Sequence, residues 1–184
     1  MSVMGVDLGS TGVRAVAYRS DGAIVGEATA RVAFRRSPDG TVILPIQPYR
    51  EAVEASVRSA ATSAHAAGEP VQALSFSAHG ETVLPVDRTG APVADGVAGM
   101  DPRGADAVAV VERRLGSAVV HHVTGQPLHA MFSVYKIADA GGEWADAHAY
   151  RCVTDHLLEA WGLEPVLDWG CAARTGGVDA NHLD

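Results

Sequence analysis

VMGVDLGSTGVRAVAY, residues 3–18, is the stretch that decides the fold. Its apolar start at residues 3–8 and the alternating, β-branched pattern at residues 13–18 predict two strands joined by a tight turn. A strand follows the glycines, whereas in a Rossmann unit the glycine-rich turn opens a helix. The stretch therefore predicts an antiparallel start to the chain and excludes the dinucleotide-binding order of elements.

The turn inside this stretch has the composition of a phosphate-binding loop. Gly9, Ser10 and Thr11 offer backbone N–H groups and two hydroxyls that can converge on one anion. Asp7, at the exit of the first strand, is an oxygen ligand of the kind that a divalent cation prefers. Arg14 could offer its planar guanidinium to a phosphate, and a solvated strand residue is an equal alternative. For Asp7 and Ser10 the alternative is that they cap their own turn.

The composition is that of a soluble globular protein. The chain has 184 residues, of which 47% are hydrophobic and 20% charged, with a net charge of −8. That acidic balance disfavours a nucleic-acid interface, which needs a basic face, but does not exclude a nucleotide ligand. Two cysteines provide no disulfide framework, and no apolar run approaches the roughly 18 residues of a membrane span. We therefore expect one cytoplasmic domain, without a targeting segment, a membrane partner or a nucleic-acid partner.

Downstream, the patterns predict a mixed sheet with helices between its later strands. A turn at residues 20–22 and a third strand at residues 23–32 complete three consecutive antiparallel strands. The other expected elements are a loop or edge segment at residues 34–44, a helix from Pro48 to Gly68, strands at residues 71–77 and 83–86, a helix that starts at Pro102 and ends at Gly116, and helical segments near residues 133–140 and 155–161. Residues 167–184 carry no assignment.

Some residues of the later segments have structural interpretations of their own. Asp101 fits a helix N-cap, with Pro102 as the first helical residue. Lys136 is expected at the surface or in a salt bridge, while Met131 and Phe132 are expected in the core or a pocket wall. The adjacent His121-His122 pair is expected on opposite faces of a strand, and the histidines lack the ligand spacing of a zinc site.

Several stretches, taken in order, resemble the N-terminal domain of the FGGY carbohydrate kinases, which include glycerol kinase, xylulokinase, ribulokinase and gluconokinase. Residues 5–14 resemble the family's first phosphate loop, and residues 75–82 its first sugar-binding segment. Asp101-x-Arg103 is similar to the end of its Trp-x-Asp-x-Arg segment. Residues 124–136 resemble its Thr-Gly-x-Pro segment, and residues 173–176 a later one. Each motif is weak alone, but together and in order they are specific.

The resemblance implies an α/β protein with the actin-like ATPase (ribonuclease H-like) fold, a mixed β-sheet with flanking helices. It also implies phosphorylation of a sugar or polyol hydroxyl, with ATP and Mg²⁺ as cofactors and a homodimer as a possible assembly. Asp7 would hold the metal through water. Gly9, Ser10, Thr11 and Arg14 would bind the phosphates of ATP.

The resemblance places the sugar at His79, Gly80, Glu81, Asp101 and Arg103. Glu81 would accept hydrogen bonds from sugar hydroxyls, and His79 could donate to another, with a purely structural histidine an equal alternative. For Asp101, contact with the substrate and capping of a helix are equal alternatives. Gly80 stands where glycerol kinases have an arginine, so we expect room for a substrate longer than glycerol, such as a sugar or sugar acid.

Two features depart from the family. Gly99 stands where tryptophan is usual, so we expect one wall of the sugar pocket to be open. Family members are also much longer, so we expect residues 1–184 to be the N-terminal half of a kinase. The general base and most of the adenosine site would then lie beyond residue 184, and the isolated chain would be inactive. The alternative is a non-catalytic sugar-sensing module; another actin-like ATPase is disfavoured by the Glu81 and Asp101 segments.

Overall fold

The computed structural model describes residues 1–182. These residues divide into two compact units, the first built from Met1–Phe34 and Pro45–His79, the second from Arg35–Leu44 and the chain from Gly80 onward. The expected single domain over residues 1–184 stays a prediction, and its last two residues lie outside the described part. No described helix combines the length and the apolar character needed to cross a membrane.

The helices and strands alternate irregularly along the chain. In chain order the strands are β1 (Ser2–Leu8), β2 (Gly12–Arg19), β3 (Ile24–Arg31), β4 (Arg35–Arg36), β5 (Val42–Leu44), β6 (Val71–Ala78), β7 (Leu84–Val86), β8 (Gly96–Val97) and β9 (Ala149–Arg151). The helices are α1 (Ile46–Ala66), α2 (Ala105–Arg114), α3 (Ser117–Thr124), α4 (Ser133–Asp139), α5 (Val153–Ala160) and α6 (Trp169–Ala173), with a short 3-10 helix at Gly141–Trp144.

The first unit is built on a four-stranded mixed sheet in the order β3-β2-β1-β6. The first three strands are antiparallel, as predicted, and β6 runs parallel to β1. Along β1, Met4, Val6 and Leu8 are buried, whereas Asp7 lies on the exposed face. The register places Asp7 opposite Arg14 on one side and Ser77 on the other. β3 and β6 are the two edges of this sheet.

Helix α1 packs against β2 and β3 through small residues. Its buried face includes Val53, Ala60 and Ala64, which recur at the spacing of an amphipathic helix. The helix begins at Ile46, two residues before the predicted start at Pro48. The proline is tolerated because no N–H group in the first helical turn has an intrahelical partner.

The second unit contains two small sheets, β4-β5-β8 and β7-β9, with helices α2 to α6. Residues 34–44, expected as a loop or edge segment, include the paired strands β4 and β5. One core cluster of this unit contains Val83, Val97 and Trp144. Another contains Phe132, as predicted, with Met131 partly buried beside it.

Two expectations for the second unit are wrong. Asp101 does not cap α2, because that helix begins at Ala105 after Gly104, which adopts a φ of 96°. A Cβ atom at position 104 would also lie 3.1 Å from the carbonyl carbon of Tyr135, so this close approach favours glycine. His121 and His122 lie in helix α3, not on a strand. Adjacent residues of a helix are about 100° apart, not on opposite faces.

The contact between α1 and β3 gives a test of the first unit. A Cβ atom at Gly26 would lie 2.1 Å from the Ala60 carbonyl oxygen. We therefore expect Gly26→Ala to lower the free energy of unfolding by roughly 1–3 kcal/mol, measured by urea denaturation. Gly5→Ala is the matched control, because nothing lies within 4 Å of the position that its Cβ atom would take. Equal effects of the two substitutions would contradict the packing described.

Candidate functional site

The turn between β1 and β2 is closed by its own backbone. The Gly9 N–H donates to the Gly12 carbonyl at 3.0 Å. A Cβ atom at Gly9 would lie 2.8 Å from that carbonyl oxygen, so the turn requires glycine there. Within residues 1–182 the hydroxyls of Ser10 and Thr11 have no hydrogen-bond partner. They are therefore free to bind a ligand.

Two side chains brace this turn from within the first unit. The Tyr49 hydroxyl of α1 donates to the Gly9 carbonyl at 3.2 Å, and His79 Nδ1 lies 2.8 Å from the Leu8 carbonyl. Tyr49 is buried, and its burial raises its pKa. The sequence prediction missed Tyr49; its position three residues after Ile46, on the same helix face, was the available signal.

His79 has a fixed tautomer when neutral. The Leu8 carbonyl can only accept, so Nδ1 carries the proton and Nε2 is left as an acceptor. Nε2 is buried and has no partner among the described residues. Burial lowers the pKa of His79, although the bond to Leu8 and the charge of Asp7 act in the opposite direction. The ring therefore presents an acceptor, whereas the sequence predicted a donor.

Asp7 lies on the exposed face of β1, and its carboxylate makes no hydrogen bond or ion pair within the described chain. It lines a cavity of about 350 Å³ together with Arg14, Ser75 and Ser77. The Arg14 guanidinium pairs with Glu27 at 2.6 Å, and both side chains are exposed. A phosphate bound by Arg14 would therefore compete with Glu27 in a solvated setting, where such pairs are weak.

Glu81, in the second unit, forms an ion pair with Arg174. The Glu81 side chain is 16% exposed and the Arg174 side chain 42%. Arg174 also lies over the ring of Phe132, 5.6 Å from its centroid. The sequence prediction gave Arg174 no role, although the segment at residues 173–176 was the signal that could have found it.

The space around Glu81 differs from the expectation. A Cβ atom at Gly80 would lie 2.9 Å from the Cβ of Arg174, so the room expected there is filled by the arginine stem. A Cβ atom at Gly99 would lie 2.7 Å from the Cβ of Glu81. The glycine at position 99 therefore permits a close approach of the backbone to Glu81, where an open wall was expected.

A buried carboxylate, that of Asp101, pairs with the partly exposed guanidinium of Arg103. The Asp101 side chain is fully buried and accepts hydrogen bonds from the Val42 N–H at 2.7 Å and from Arg103 Nε at 2.8 Å. Burial alone would raise the pKa of Asp101, but the hydrogen bonds from Arg103 and Val42 outweigh it and hold the pKa below its usual value. Arg103 also pairs with Glu143 at 3.1 Å. Substrate contact by Asp101 and Arg103 stays a prediction.

Lys136 is not at the surface, so that expectation is wrong. It is 1% exposed, and its ammonium group donates to the carbonyl groups of Asp101 at 2.9 Å, Arg103 at 3.2 Å and Ala130 at 2.8 Å. Backbone carbonyls have no sequence signature, which is why composition and spacing do not reveal this environment. Among the described residues, no group of three or more His, Cys, Asp or Glu side chains could hold a metal ion.

The protonation of His79 gives a test of the turn. Because its pKa is lowered, the stability that neutral His79 contributes is present above about pH 6.5 and is lost as the pH falls through its folded pKa. We expect NMR of the imidazole nitrogens to show Nδ1–H and a pKa below that of free histidine.

The same titration has a matched control on an exposed histidine. His79→Gln is expected to reduce the slope of the unfolding free energy between about pH 7 and pH 5. His122→Gln, at an exposed position of α3, is expected to retain it. A wild-type His79 pKa at or above the ordinary value would contradict the buried, neutral ring.

A family model for the FGGY family of carbohydrate kinases, N-terminal domain, matches residues 2–171. Gluconokinase from Bacillus subtilis is 24% identical over 188 residues, which cover 99% of this chain and 36% of the relative. The chain therefore spans little more than a third of that protein's length.

Solved structures of such kinases have the same fold. Xylulose kinase from Rhodospirillum rubrum matches with a TM-score of 0.89 at 18% identity, covering 98% of this chain and 38% of that one. Gluconate kinase from Lactobacillus acidophilus matches with a TM-score of 0.85 at 17% identity, covering 97% and 36%. Glycerol kinase from Plasmodium falciparum, solved with ADP, matches with a TM-score of 0.86 at 16% identity, covering 100% and 38%. The predicted actin-like ATPase fold is confirmed, and the chain belongs to the FGGY family of carbohydrate kinases.

Proposed function

We propose that this chain is the phosphate- and sugar-binding N-terminal part of an enzyme that transfers a phosphoryl group from ATP to a hydroxyl of a sugar, polyol or sugar acid. The observation that carries the proposal is the turn after β1, where unpaired hydroxyls stand beside an unpaired carboxylate. Family membership supports the reaction class. The proposal assigns phosphate chemistry to the first unit and sugar chemistry chiefly to the second.

The phosphate-binding residues are proposed in the first unit. The hydroxyls of Ser10 and Thr11 would bind oxygens of the transferred phosphate. Gly9, whose N–H is held by the Gly12 carbonyl, would shape the turn around that phosphate. Arg14 would add a cation when a phosphate displaces Glu27. Asp7 fits Mg²⁺ held through water, since this ion keeps several waters and is commonly bound by one or two carboxylates and the phosphates themselves. When bound, Mg²⁺ neutralises the charge that develops on the phosphate oxygens.

The sugar-binding residues are proposed chiefly in the second unit. Glu81 accepts and Arg174 donates, so the pair suits adjacent hydroxyls, each of which can do both. Sugar contact by the Gly80 backbone, and by His79 through a hydrogen bond that a hydroxyl donates to Nε2, stays a prediction. Asp101 and Arg103 make their strong contacts with each other, which supports a role behind the sugar rather than on it.

A five- or six-carbon sugar, polyol or sugar acid is the proposed acceptor class. Arg174 is 42% exposed, so a carboxylate could pair with its outer N–H groups while Glu81 holds the inner ones. Relatives named gluconokinase and gluconate kinase are consistent with a sugar acid. Because the chain spans 36–38% of such relatives, we propose that the general base and most of the adenosine site belong to the remaining part. A cytoplasmic location and a homodimer stay predictions.

Phosphoryl transfer by the natural protein that contains this chain tests the proposal. We expect ATP turnover with at least one member of a panel of pentuloses, hexoses, polyols and aldonic acids. Asp7→Asn is expected to lower kcat about 100-fold or more, because phosphate and metal positioning act mainly in the transition state. Glu81→Gln is expected to raise the KM for the sugar about tenfold or more with a smaller effect on the KM for ATP.

Exposed carboxylates of the same units serve as controls. Asp21→Asn, in the turn after β2, and Glu164→Gln, in the loop after α5, are expected to leave kcat and KM within about twofold. Turnover that survives Asp7→Asn would contradict the phosphate assignment. Sugar binding without ATP turnover would support the sugar-sensing alternative instead.

A further inference from the structure

Lys136 is the only lysine in the sequence, and it is almost completely buried. Its ammonium group faces four backbone carbonyls: Ala130 at 2.8 Å, Asp101 at 2.9 Å, Arg103 at 3.2 Å and Gly99 at 3.4 Å. The ammonium group has three hydrogens for these four carbonyls, so two of the carbonyls share one hydrogen. The ammonium group therefore draws four carbonyl oxygens from different parts of the chain toward one point.

The charges around this ammonium are few and paired. Asp101 favours the charged form of Lys136, and Arg103 disfavours it. Arg103 is itself held by Asp101 and by Glu143 of the 3-10 helix. Lys136 has no direct salt bridge with a carboxylate among the described residues. The charge of Lys136 therefore binds backbone carbonyl groups and does not neutralise a carboxylate side chain.

The carbonyls that Lys136 holds belong to the segment that supports Glu81. Three of them lie at residues 99–103, and the Gly99 backbone packs against the Cβ of Glu81. At the other end of the segment, Gly104 packs against Tyr135 and Lys136. Lys136 thus ties residues 99–104 to α4 at the point where they contact the carboxylate proposed to bind sugar.

We propose that Lys136 is a positioning residue for sugar binding: its ammonium group fixes the backbone of residues 99–103 and thereby sets the place of Glu81. The inference rests on the proposed function for its consequence on sugar affinity. Its structural part, the order of residues 99–103 and of the Glu81–Arg174 pair, does not depend on catalysis.

The protonation state gives the proposal a pH dependence. Burial lowers the pKa of Lys136 to about 8, against the opposing effect of Asp101. The neutral amine has only two hydrogens to donate to the four carbonyls, so above this pH at least one carbonyl loses its partner. By linkage, the native state then no longer carries the cost of a buried cation, so global stability rises with pH from this group while the local anchoring weakens. Sugar affinity and global stability are therefore expected to move in opposite directions.

The first test needs no substrate and uses the 184-residue chain. With ¹⁵N-lysine, the single side-chain ammonium signal should remain visible at neutral pH and titrate near pH 8, since exchange of a buried ammonium is slow. In Lys136→Met, the amide protons of Asp101 and Arg103 are expected to exchange about tenfold faster or more, and the Arg174 Nε–H signal should shift. Amide protons of β1 should be unchanged.

The second test measures sugar affinity in the natural protein. Lys136→Met is expected to raise the KM for the sugar about tenfold, with kcat and the KM for ATP within about threefold. In the wild type the sugar KM should rise above about pH 8, and Lys136→Arg, which stays charged, should remove that rise. Tyr135→Phe, in the same helix, is the matched control and should behave as the wild type.

The two tests separate failure of this proposal from failure of the proposed function. Unchanged exchange at Asp101 and Arg103 in a folded Lys136→Met variant would overturn the positioning role, whatever the enzyme does. If Lys136→Met does not fold, a wild-type ammonium signal that titrates like free lysine, or is absent through rapid exchange, would overturn it equally. Absence of turnover with every sugar, combined with faster exchange in the variant, would refute the kinase and leave the anchoring supported.

Discussion

Strand β1 is hydrogen-bonded on both sides, antiparallel to β2 and parallel to β6, and this constraint organises the first unit. Side chains alternate along a strand, so a slip of one residue would bury Asp7 and expose Leu8. Only one register keeps the apolar face against α1 and leaves Asp7 free at the strand end. The register of β1 also fixes where the following turn begins. The hydroxyls of Ser10 and Thr11 therefore lie near the Asp7 carboxylate.

The second unit adds a different principle to its apolar clusters, because it also buries charged groups. A buried charge is costly unless it is paired or solvated by dipoles, and removing one partner leaves the other uncompensated. Asp101 satisfies this requirement with the Val42 amide and with Arg103, and Lys136 satisfies it with backbone carbonyls. These bonds connect three parts of the unit: strand β5, residues 101–103, and helix α4. No sheet of the unit joins these three parts. The unit is therefore held together by polar bonds at a place where its sheets are small.

The local sequence pattern was enough to predict the first three strands and helix α1. The alternation at residues 13–18 and the glycine turns were enough to predict three antiparallel strands. Pro48 and Gly68 were enough to predict α1 to within two residues at each end. The errors at Asp101 and Lys136 came from environments that distant parts of the chain help to set, whereas at His121 and His122 a helix was taken for a strand. Asp101 has the chemistry of a helix cap, but its buried carboxylate is occupied by Arg103 and by the amide of Val42, which is remote in sequence. The burial of Lys136 likewise depends on contacts between segments far apart in sequence.

The edges of the mixed sheet differ in a way that bears on handling the protein. β3 carries Glu27 and Arg31, and charged side chains on an edge strand discourage the addition of another strand. β6, with the sequence VQALSFSA, has no charged residue, and within residues 1–182 its second edge pairs with no strand. An uncharged open edge is a template for intermolecular β-pairing. We therefore expect concentrated solutions of the 184-residue chain to self-associate through β6, and a lysine on the exposed face of this strand to reduce that self-association.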